Sequence, residues 1–236
     1  MGSKLLRISD IRHCAREQFA IDDHFLSFTD TQLWTLAVVT SGTVTHEGSA
    51  GRSAIKLLTT DIAAAAVLAT TNEIFKFRAS KAMECEAIIN GADVDTDDGM
   101  LFFGWADALA AATLADTTGV VTATDACCLI KLPDSRVLTF HTEINGVAVT
   151  TTSNATILTS ANQTLRIEVQ PALGGSTLIA RPYLDGVQLK TAAGTPIAHD
   201  IVVGTATDMD FGVMTKSNDA ADYIVFVEYL HASQLL

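Results

Sequence analysis

From residue 33 onward the chain alternates hydrophobic and polar positions with a period of two, as a strand with one buried face requires. In residues 164–170, Leu165, Ile167 and Val169 fall on one face, and only polar side chains fall on the other. Such runs are rich in Val, Ile, Thr and aromatic residues and are separated by clusters of Gly, Asn, Asp and Ser. About a dozen strands are therefore predicted, with no long helix between them.

The same alternation places several polar residues on the outer faces of predicted strands. Residues 83–89 put Glu84 and Glu86 together on one outer face, with apolar side chains on the other. Residues 136–144 put His141 at an outward or rim position. These positions are the first to consider when chemistry is sought.

Turn signals join consecutive strands into hairpins. The Asn-Gly pair at 145–146 and the Asp-Gly pair at 185–186 each suit a tight turn with positive φ. Sequential hairpins without helices exclude a βαβ architecture and favour two stacked antiparallel sheets. The alanine-rich pieces at 63–66 and 106–112 stay ambiguous, because propensity favours helix and context favours strand or loop.

The domain organisation follows from where the pattern begins. No Pro/Gly/Ser linker and no internal repeat divides the strand-rich region, so residues 29–236 are predicted to form one β-sandwich. Residues 1–28 read as an N-terminal arm with a short helix capped by Ser9 or Asp10. The alternative is a frayed terminus.

Charge separates the arm from the body. The chain has a net charge of -12, whereas its first twenty residues hold four cations and two carboxylates and are net +2, which leaves -14 for the remainder. A surface this negative repels phosphate backbones, so nucleic-acid binding is excluded. The arm is instead suited to contact with an acidic protein surface.

Neither a membrane nor an oxidising compartment is indicated. The longest apolar stretch, residues 62–69, is far shorter than the roughly 20 residues that cross a bilayer. The first residues run into Ser9 and Asp10 rather than an apolar signal region, so no export signal is expected. The four cysteines show no paired spacing, and Cys127 and Cys128 should point to opposite faces of one strand.

Five segments, in their order and spacing, resemble the concanavalin A-like lectin/glucanase and laminin-G jelly-roll superfamily. They are residues 57–60 (LLTT), 84–87 (ECEA), 102–105 (FFGW), 165–169 (LRIEV) followed by 183–186 (YLDG), and 222–224 (DYI). The resemblance spans most of residues 30–232 and implies an all-β, antiparallel two-sheet jelly-roll sandwich. It implies fold more than activity. Superfamily members include lectins, glycosidases and adhesive modules, as well as the decoration, cement and fibre proteins of tailed phages, to which this chain is similar in style.

No catalytic residues are identified, and the chain is expected not to be an enzyme. A glycosidase needs two carboxylates that flank the scissile bond. Glu84 and Glu86 are the nearest candidates, but the further acidic positions of the glucanase motif are missing around them, where Cys85 and Ala87 stand. A degenerate glycosidase is therefore only the third reading, and a solvated or interface face is preferred.

No metal and no cofactor are expected. Asp93, Asp95, Asp97 and Asp98 begin like an EF-hand loop, but Asp98 stands where the invariant Gly belongs. The six histidines lack the spacing of a zinc site. An exposed connection is the preferred reading of the acidic cluster, with opportunistic cation binding as the alternative.

Trp34 and Trp105 are the candidates for stacking on a sugar ring, although both lie in apolar runs where a core position is the other reading. Carbohydrate therefore stays open as a partner. The second functional hypothesis is accordingly a carbohydrate-binding module or receptor-binding fibre domain.

The leading hypothesis is a virion structural protein that decorates and cements the outer capsid surface through non-covalent adhesion. Its expected partners are the major capsid protein or other virion subunits and further copies of itself, with a trimer as the expected homo-oligomer. The predicted partner-binding residues are the apolar and basic side chains of the arm, namely Leu5, Leu6, Arg7, Ile8 and Arg12. The protein would be made in the host cytoplasm and function on the capsid surface.

Overall fold

The computed structural model contains sixteen strands in two antiparallel sheets and a single 3₁₀ turn within the described part of the chain. The structure describes residues 18–25, 33–49, 52–93, 99–116, 118–173, 177–204, 207–219 and 222–235. The architecture confirms the predicted all-β, two-sheet sandwich. No helix in these ranges is long and apolar enough to cross a membrane.

The larger sheet has nine strands, and its main path runs β13-β12-β11-β6-β16-β4-β3. β1 adds to β16, and β14 adds to β12. The nine strands are β1 (Gln18–Asp23), β3 (Thr43–Ser49), β4 (Arg52–Thr59), β6 (Met83–Asp93), β11 (Asn162–Pro171), β12 (Thr177–Leu184), β13 (Val187–Gln188), β14 (His199–Val202) and β16 (Tyr223–Leu235).

The smaller sheet has seven strands in the order β10-β9-β8-β7-β15-β5-β2. They are β2 (Trp34–Val39), β5 (Ala65–Thr70), β7 (Gly99–Ala106), β8 (Ala126–Lys131), β9 (Val137–Ile144), β10 (Val147–Thr156) and β15 (Asp210–Ser217). Its two outermost strands, β2 and β10, are free edges among the described residues.

The first strand lies inside the range that the sequence assigned to the arm. Residues Gln18–Asp23 pair along β16 from Leu235 to Leu230, so this part of residues 1–28 belongs to the sandwich. Its alternation was hard to detect because the strand is only six residues long. The predicted helix over residues 9–18 lies almost wholly outside the described residues.

The alternation predicted from the sequence is the alternation of burial in the structure. Leu165, Ile167 and Val169 of β11 are fully buried between the sheets, as predicted. Cys127 faces the inter-sheet core, whereas the adjacent Cys128 joins a second apolar cluster on the other face of the smaller sheet. Both thiols are free, and burial raises their pKa values.

An aromatic cluster centred on Phe211 of β15 holds the two sheets together. The Phe211 ring lies 6.0 to 6.3 Å, between centroids, from four other rings, those of Trp34, Phe75, Phe103 and Trp105. Each such pair contributes about 0.5–1.5 kcal/mol beyond the burial of its area. The core is therefore concentrated between β15, β7 and β2.

Both predicted hairpins are present. Asn145 and Gly146 have φ values of 51° and 73° at the turn between β9 and β10. Asp185 and Gly186 have φ values of 50° and 76° between β12 and β13. Asn and Asp tolerate this left-handed region better than most side chains, and Gly adopts it without strain.

The outer face of the seven-stranded sheet is covered by the chain's own residues 107–125, here called the covering segment. Leu109, Leu114 and Val121 of this segment pack on outward-facing residues such as Phe102 and Met214. The alanine-rich piece at 106–112 thus resolves into the end of β7 and the start of a 3₁₀ turn, Ala111–Thr113. Residues 63–66, the other ambiguous piece, lead into β5.

Lys216 fixes the covering segment to the sheet. Its side chain is 3% exposed, and its Nζ donates hydrogen bonds of 2.7 Å to the carbonyl oxygens of Ala111 and Leu114. The same Nζ lies 2.5 Å from a carboxylate oxygen of Asp116. A buried cation therefore satisfies the end of the 3₁₀ turn, where backbone carbonyls would otherwise lack partners.

Two buried histidines close one end of the sandwich. His199 of β14 is hydrogen-bonded to the hydroxyls of Thr142 and Thr151, at 3.0 and 2.9 Å, and so links the two sheets. His141, predicted as outward or at the rim, does face outward but is only 5% exposed, because the Thr150 hydroxyl and the Glu143 carboxylate flank its ring. Cross-strand neighbours, which the sequence does not reveal, cause that burial.

Replacing Lys216 with Met should lower the free energy of unfolding by about 2–4 kcal/mol, because two buried carbonyl groups and one carboxylate lose their donor. Urea denaturation measures the change, and limited proteolysis should show new cleavage within the covering segment. Lys190→Met is the matched control, since the Lys190 side chain is exposed. Equal stability of the two variants and an unchanged cleavage pattern would contradict the role given to Lys216.

Thermal stability should fall as the pH is lowered through the titration range of His199. Burial, reinforced by the nearby His141, lowers the pKa of His199 from 6.5 to about 4. The unfolded chain therefore binds this proton at a higher pH than the folded chain does. The stability that His199 contributes is present above about pH 6.5 and is lost between about pH 6.5 and 4.

The variant His199→Gln should show a flatter dependence of melting temperature on pH between 4 and 6.5 than the wild type, and differential scanning calorimetry would measure both curves. The comparison is needed because burial also raises the pKa of Asp210 to about 6, which acts in the opposite direction over this range. Parallel curves would contradict the assignment to His199.

Candidate functional site

The outer face of the nine-stranded sheet carries a connected row of polar side chains. The strand register places Asp22 of β1 beside His231 of β16, then Glu86 of β6, Arg166 of β11 and Tyr183 of β12. Each residue is the direct cross-strand neighbour of the next, and adjacent strands lie about 4.8 Å apart. Five side chains far apart in sequence thus form one line across the sheet.

A second row lies beside the first. Ser233, Glu84, Glu168 and Arg181 are paired across β16, β6, β11 and β12 in the same way. The two rows, together with Tyr229, are called the polar face here. The prediction that Glu84 and Glu86 share an outer face is therefore confirmed.

Contacts between the rows neutralise much of their charge. Arg166 forms an ion pair of 2.8 Å with Glu168, and its guanidinium carbon lies 4.4 Å from the centre of the Tyr183 ring. The Tyr183 hydroxyl donates a 2.9 Å hydrogen bond to Glu168. Burial and this carboxylate raise the pKa of Tyr183. The arginine is thus held flat against an aromatic ring with its position fixed.

Glu84 is paired with His231. Its carboxylate lies 3.5 Å from the imidazole Nε2, and the hydrogen bond to His231 lowers the pKa of Glu84. The same hydrogen bond raises the pKa of His231. A glycosidase acid needs a raised pKa so that it holds a proton near neutral pH. The electrostatics of Glu84 are the opposite of those requirements.

A shallow pocket of about 280 Å³ opens on the polar face, lined by residues that include Asp22, Glu86, Arg166 and Tyr229. Tyr229 stacks with His24, their ring centroids 4.6 Å apart, and burial raises the pKa of the Tyr229 hydroxyl. The pocket offers carboxylate acceptors, one guanidinium donor and an aromatic wall. Such a set suits a small ligand rich in hydroxyl groups.

Neither tryptophan is available for stacking on a sugar. Trp34 is 2% exposed and Trp105 is fully buried, and both belong to the aromatic cluster around Phe211. Trp34 also donates its indole N–H to Asp23 at 2.7 Å. The core reading of the two residues is the one the structure supports, because the inward positions of β2 and β7 face the second sheet.

The remaining predicted positions fall outside the description. Leu5, Leu6, Arg7, Ile8 and Arg12 lie outside the described residues, as do Asp95, Asp97 and Asp98. Asp93 is the last residue of β6. Within the described ranges no group of three or more His, Cys, Asp or Glu side chains is placed to hold a metal ion.

A second surface, which the sequence analysis missed, is a mostly apolar groove of about 300 Å³ between the ends of the two sheets. Its walls include Ile144, Val147 and Val149 of the β9–β10 hairpin, and Ile201 and Val202 of β14. Val147 and Val202 are 71% and 70% exposed. The signal in the sequence was the absence of charge in residues 147–156, an unusual feature for an edge strand.

Asp210 is a further residue that the sequence analysis did not single out. It lies on the outer face of the seven-stranded sheet at the start of β15, across from Ala106. Burial raises its pKa to about 6, and the charge of nearby Glu73 adds to the shift. Only the tertiary structure reveals this environment, because Leu109 of the covering segment, buried together with this face, arrives from a distant part of the chain.

Comparison with known proteins gives structural matches only. No family model matches the chain, and no curated protein matches it. A protein of unknown function from Shewanella oneidensis MR-1 is similar over 100% of this chain and 97% of its own, with a TM-score of 0.57 and 11% sequence identity.

Proteins with printed activities show the same likeness. The Emp47p carbohydrate recognition domain matches with a TM-score of 0.59 and 11% identity over 92% of this chain and 97% of its own. An endo-1,3-beta-glucanase from Streptomyces sioyaensis matches with a TM-score of 0.56 and 13% identity over 92% of this chain and 96% of its own. At these identities the likeness establishes the fold alone. The chain thus has the concanavalin A-like jelly-roll fold of lectins and glucanases.

Proposed function

We propose that this chain is a virion structural protein, a decoration or cement protein that binds the outer surface of a viral capsid by non-covalent adhesion. The observation that carries the proposal is the covering segment. Because residues 107–125 fill the outer face of the seven-stranded sheet, that face is not an open cleft. The surfaces left for binding are the sheet edges, the polar face and the N-terminal arm.

An adhesive role agrees with the chemistry of the carboxylates. Glu84 is held by His231 in its charged form, and Glu86 lies directly across from Arg166. A pair of this kind lacks the protonated acid that glycoside hydrolysis requires. We therefore propose a protein without catalytic activity.

The arm supplies contacts to the particle in this proposal. Its cations favour approach to an acidic protein surface, and Leu5, Leu6 and Ile8 add apolar area for burial. The major capsid protein or another virion subunit is the partner, and copies of this chain form a homo-oligomer, a trimer, on the capsid. The protein is made in the host cytoplasm and ends on the virion surface.

Virions encoded by the genome that carries this chain should contain it as a stoichiometric component. Particles purified on a density gradient and analysed by mass spectrometry would show it together with the major capsid protein. Particles from a genome lacking the gene should rebind purified full-length protein but not a variant that lacks residues 1–17. This deletion ends before β1, so the variant should keep the melting temperature of the full chain.

A charge variant separates the arm's chemistry from its length. Arg7→Glu with Arg12→Glu should weaken rebinding at least about tenfold, because it reverses the attraction to an acidic surface. The control, Lys190→Glu, changes an exposed cation on the body. Absence of the chain from gradient-purified virions would overturn the proposal.

A second candidate function is binding of a carbohydrate at the polar face. The pocket beside Arg166 and Tyr229 favours it, since carboxylates and a guanidinium can exchange several hydrogen bonds with sugar hydroxyls. The Emp47p domain is a carbohydrate recognition domain on the same fold. On this reading the chain recognises glycans of a cell surface or of the particle.

A glycan array would test this second function. Any bound glycan should lose at least about tenfold in affinity with Arg166→Ala or Glu86→Gln, because each variant removes a hydrogen-bonding partner at the pocket. Lys190→Ala, remote in sequence and exposed, should bind as the wild type does. An array with no bound glycan, or equal binding by all variants, would remove this candidate.

A further inference from the structure

Both free edges of the seven-stranded sheet lack charged residues. β2, with the sequence WTLAVV, and β10, with the sequence VAVTTTSNAT, contain no Asp, Glu, Lys or Arg. The edges of the nine-stranded sheet differ, since β3 contains His46 and Glu47 and β14 contains His199 and Asp200. Proteins usually protect free edges with charges, proline or bulges, because unpaired backbone groups are a template for another chain.

The core is open along the same two edges. Val38 of β2 pairs with the buried Ala66 and points inward, yet it is 52% exposed. Val149 of β10 pairs with the buried Thr142 and points inward, yet it is 45% exposed. Inward-facing valines are exposed here because no described strand continues the sheet beyond either edge.

We propose that the two edges bind each other between copies of this chain, with β2 of one copy docked against β10 of the next. Strand pairing would continue the seven-stranded sheet from copy to copy. Val38 of one copy and Val149 of its neighbour would then lie on the same inner face and close the core across the junction. The groove beside β10 receives the side chains at the start of β2.

Charge selects these edges as the contact between copies. With a net charge of -12 on each chain, two copies repel each other wherever carboxylates face one another. The segments 34–39 and 147–156 are free of charge, so their approach avoids this cost. Because the contact joins two different surfaces, repetition of the same step closes into a ring when the rotation permits, as cyclic oligomers do.

The surfaces can reach the area that a specific interface requires. Stable interfaces bury about 1,200–2,000 Å² in total. The pairing of six residues from each strand supplies backbone hydrogen bonds, and the exposed valines and the groove of about 300 Å³ add apolar area on both sides of the sheet. The inference rests on the homo-oligomer of the proposed function but not on its capsid partner.

Light scattering coupled to size-exclusion chromatography tests the proposal in the absence of any virion. The wild type should elute as an oligomer of the 25.0 kDa chain. Val38→Lys and Val149→Lys should each elute as monomers with wild-type circular dichroism and melting temperature, because both positions are already exposed. Val187→Lys, at a valine of β13 that is 65% exposed, is the matched control and should stay oligomeric.

Mixing the two monomeric variants gives the decisive result. Val38→Lys retains an intact β10, and Val149→Lys retains an intact β2, so an equimolar mixture should form a dimer with one copy of each and twice the chain mass. Contact between two identical β10 edges predicts instead that Val38→Lys alone stays associated and that the mixture forms no such dimer.

Three outcomes would overturn the proposal: a wild type that is monomeric at 0.5 mM (roughly the upper end of the concentration range for weak, transient contacts), an oligomer unaffected by both lysine variants, or variants that do not complement each other. None of them bears on whether the chain is found in virions, which the particle analysis decides separately.

Discussion

The contact between the two sheets at Phe211 is the constraint on which the rest of the structure depends. Its ring touches Trp34, Phe75, Phe103 and Trp105, which come from four separate parts of the chain. A period-two pattern buries a continuous surface only when a second sheet faces it. The aromatic cluster brings those faces together, and every strand further from it adds smaller side chains to a core that it has already positioned.

This packing decides which surfaces are left for function. Placing Trp34 and Trp105 at the centre removes the aromatic side chains that would otherwise suggest a sugar site. The outer face of the seven-stranded sheet is closed by the covering segment, which Lys216 holds in place. Binding is therefore directed to the periphery of the sandwich, where the polar face and the free edges lie. Proteins that act through such surfaces are typically adhesive rather than catalytic.

The distribution of charge links the arm, the edges and the proposed assembly. An acidic body keeps copies apart in most orientations, which leaves the uncharged edges β2 and β10 as the surfaces of least repulsion. The basic arm, outside the described residues, then remains free to engage a different partner. Self-association and attachment to a particle thus use separate parts of the chain, and each can be removed by mutation without the other.

The sequence by itself determined the strands, the faces of β11 and β6, and both hairpin turns, because alternation and turn residues are local properties. Only the tertiary structure decided that His141 is buried, that Asp210 has a raised pKa and that residues 107–125 cover a sheet. Those features depend on neighbours brought in from distant parts of the chain. The open edges were also decided there, since a strand becomes an edge only when the sheet order leaves one side without a neighbour.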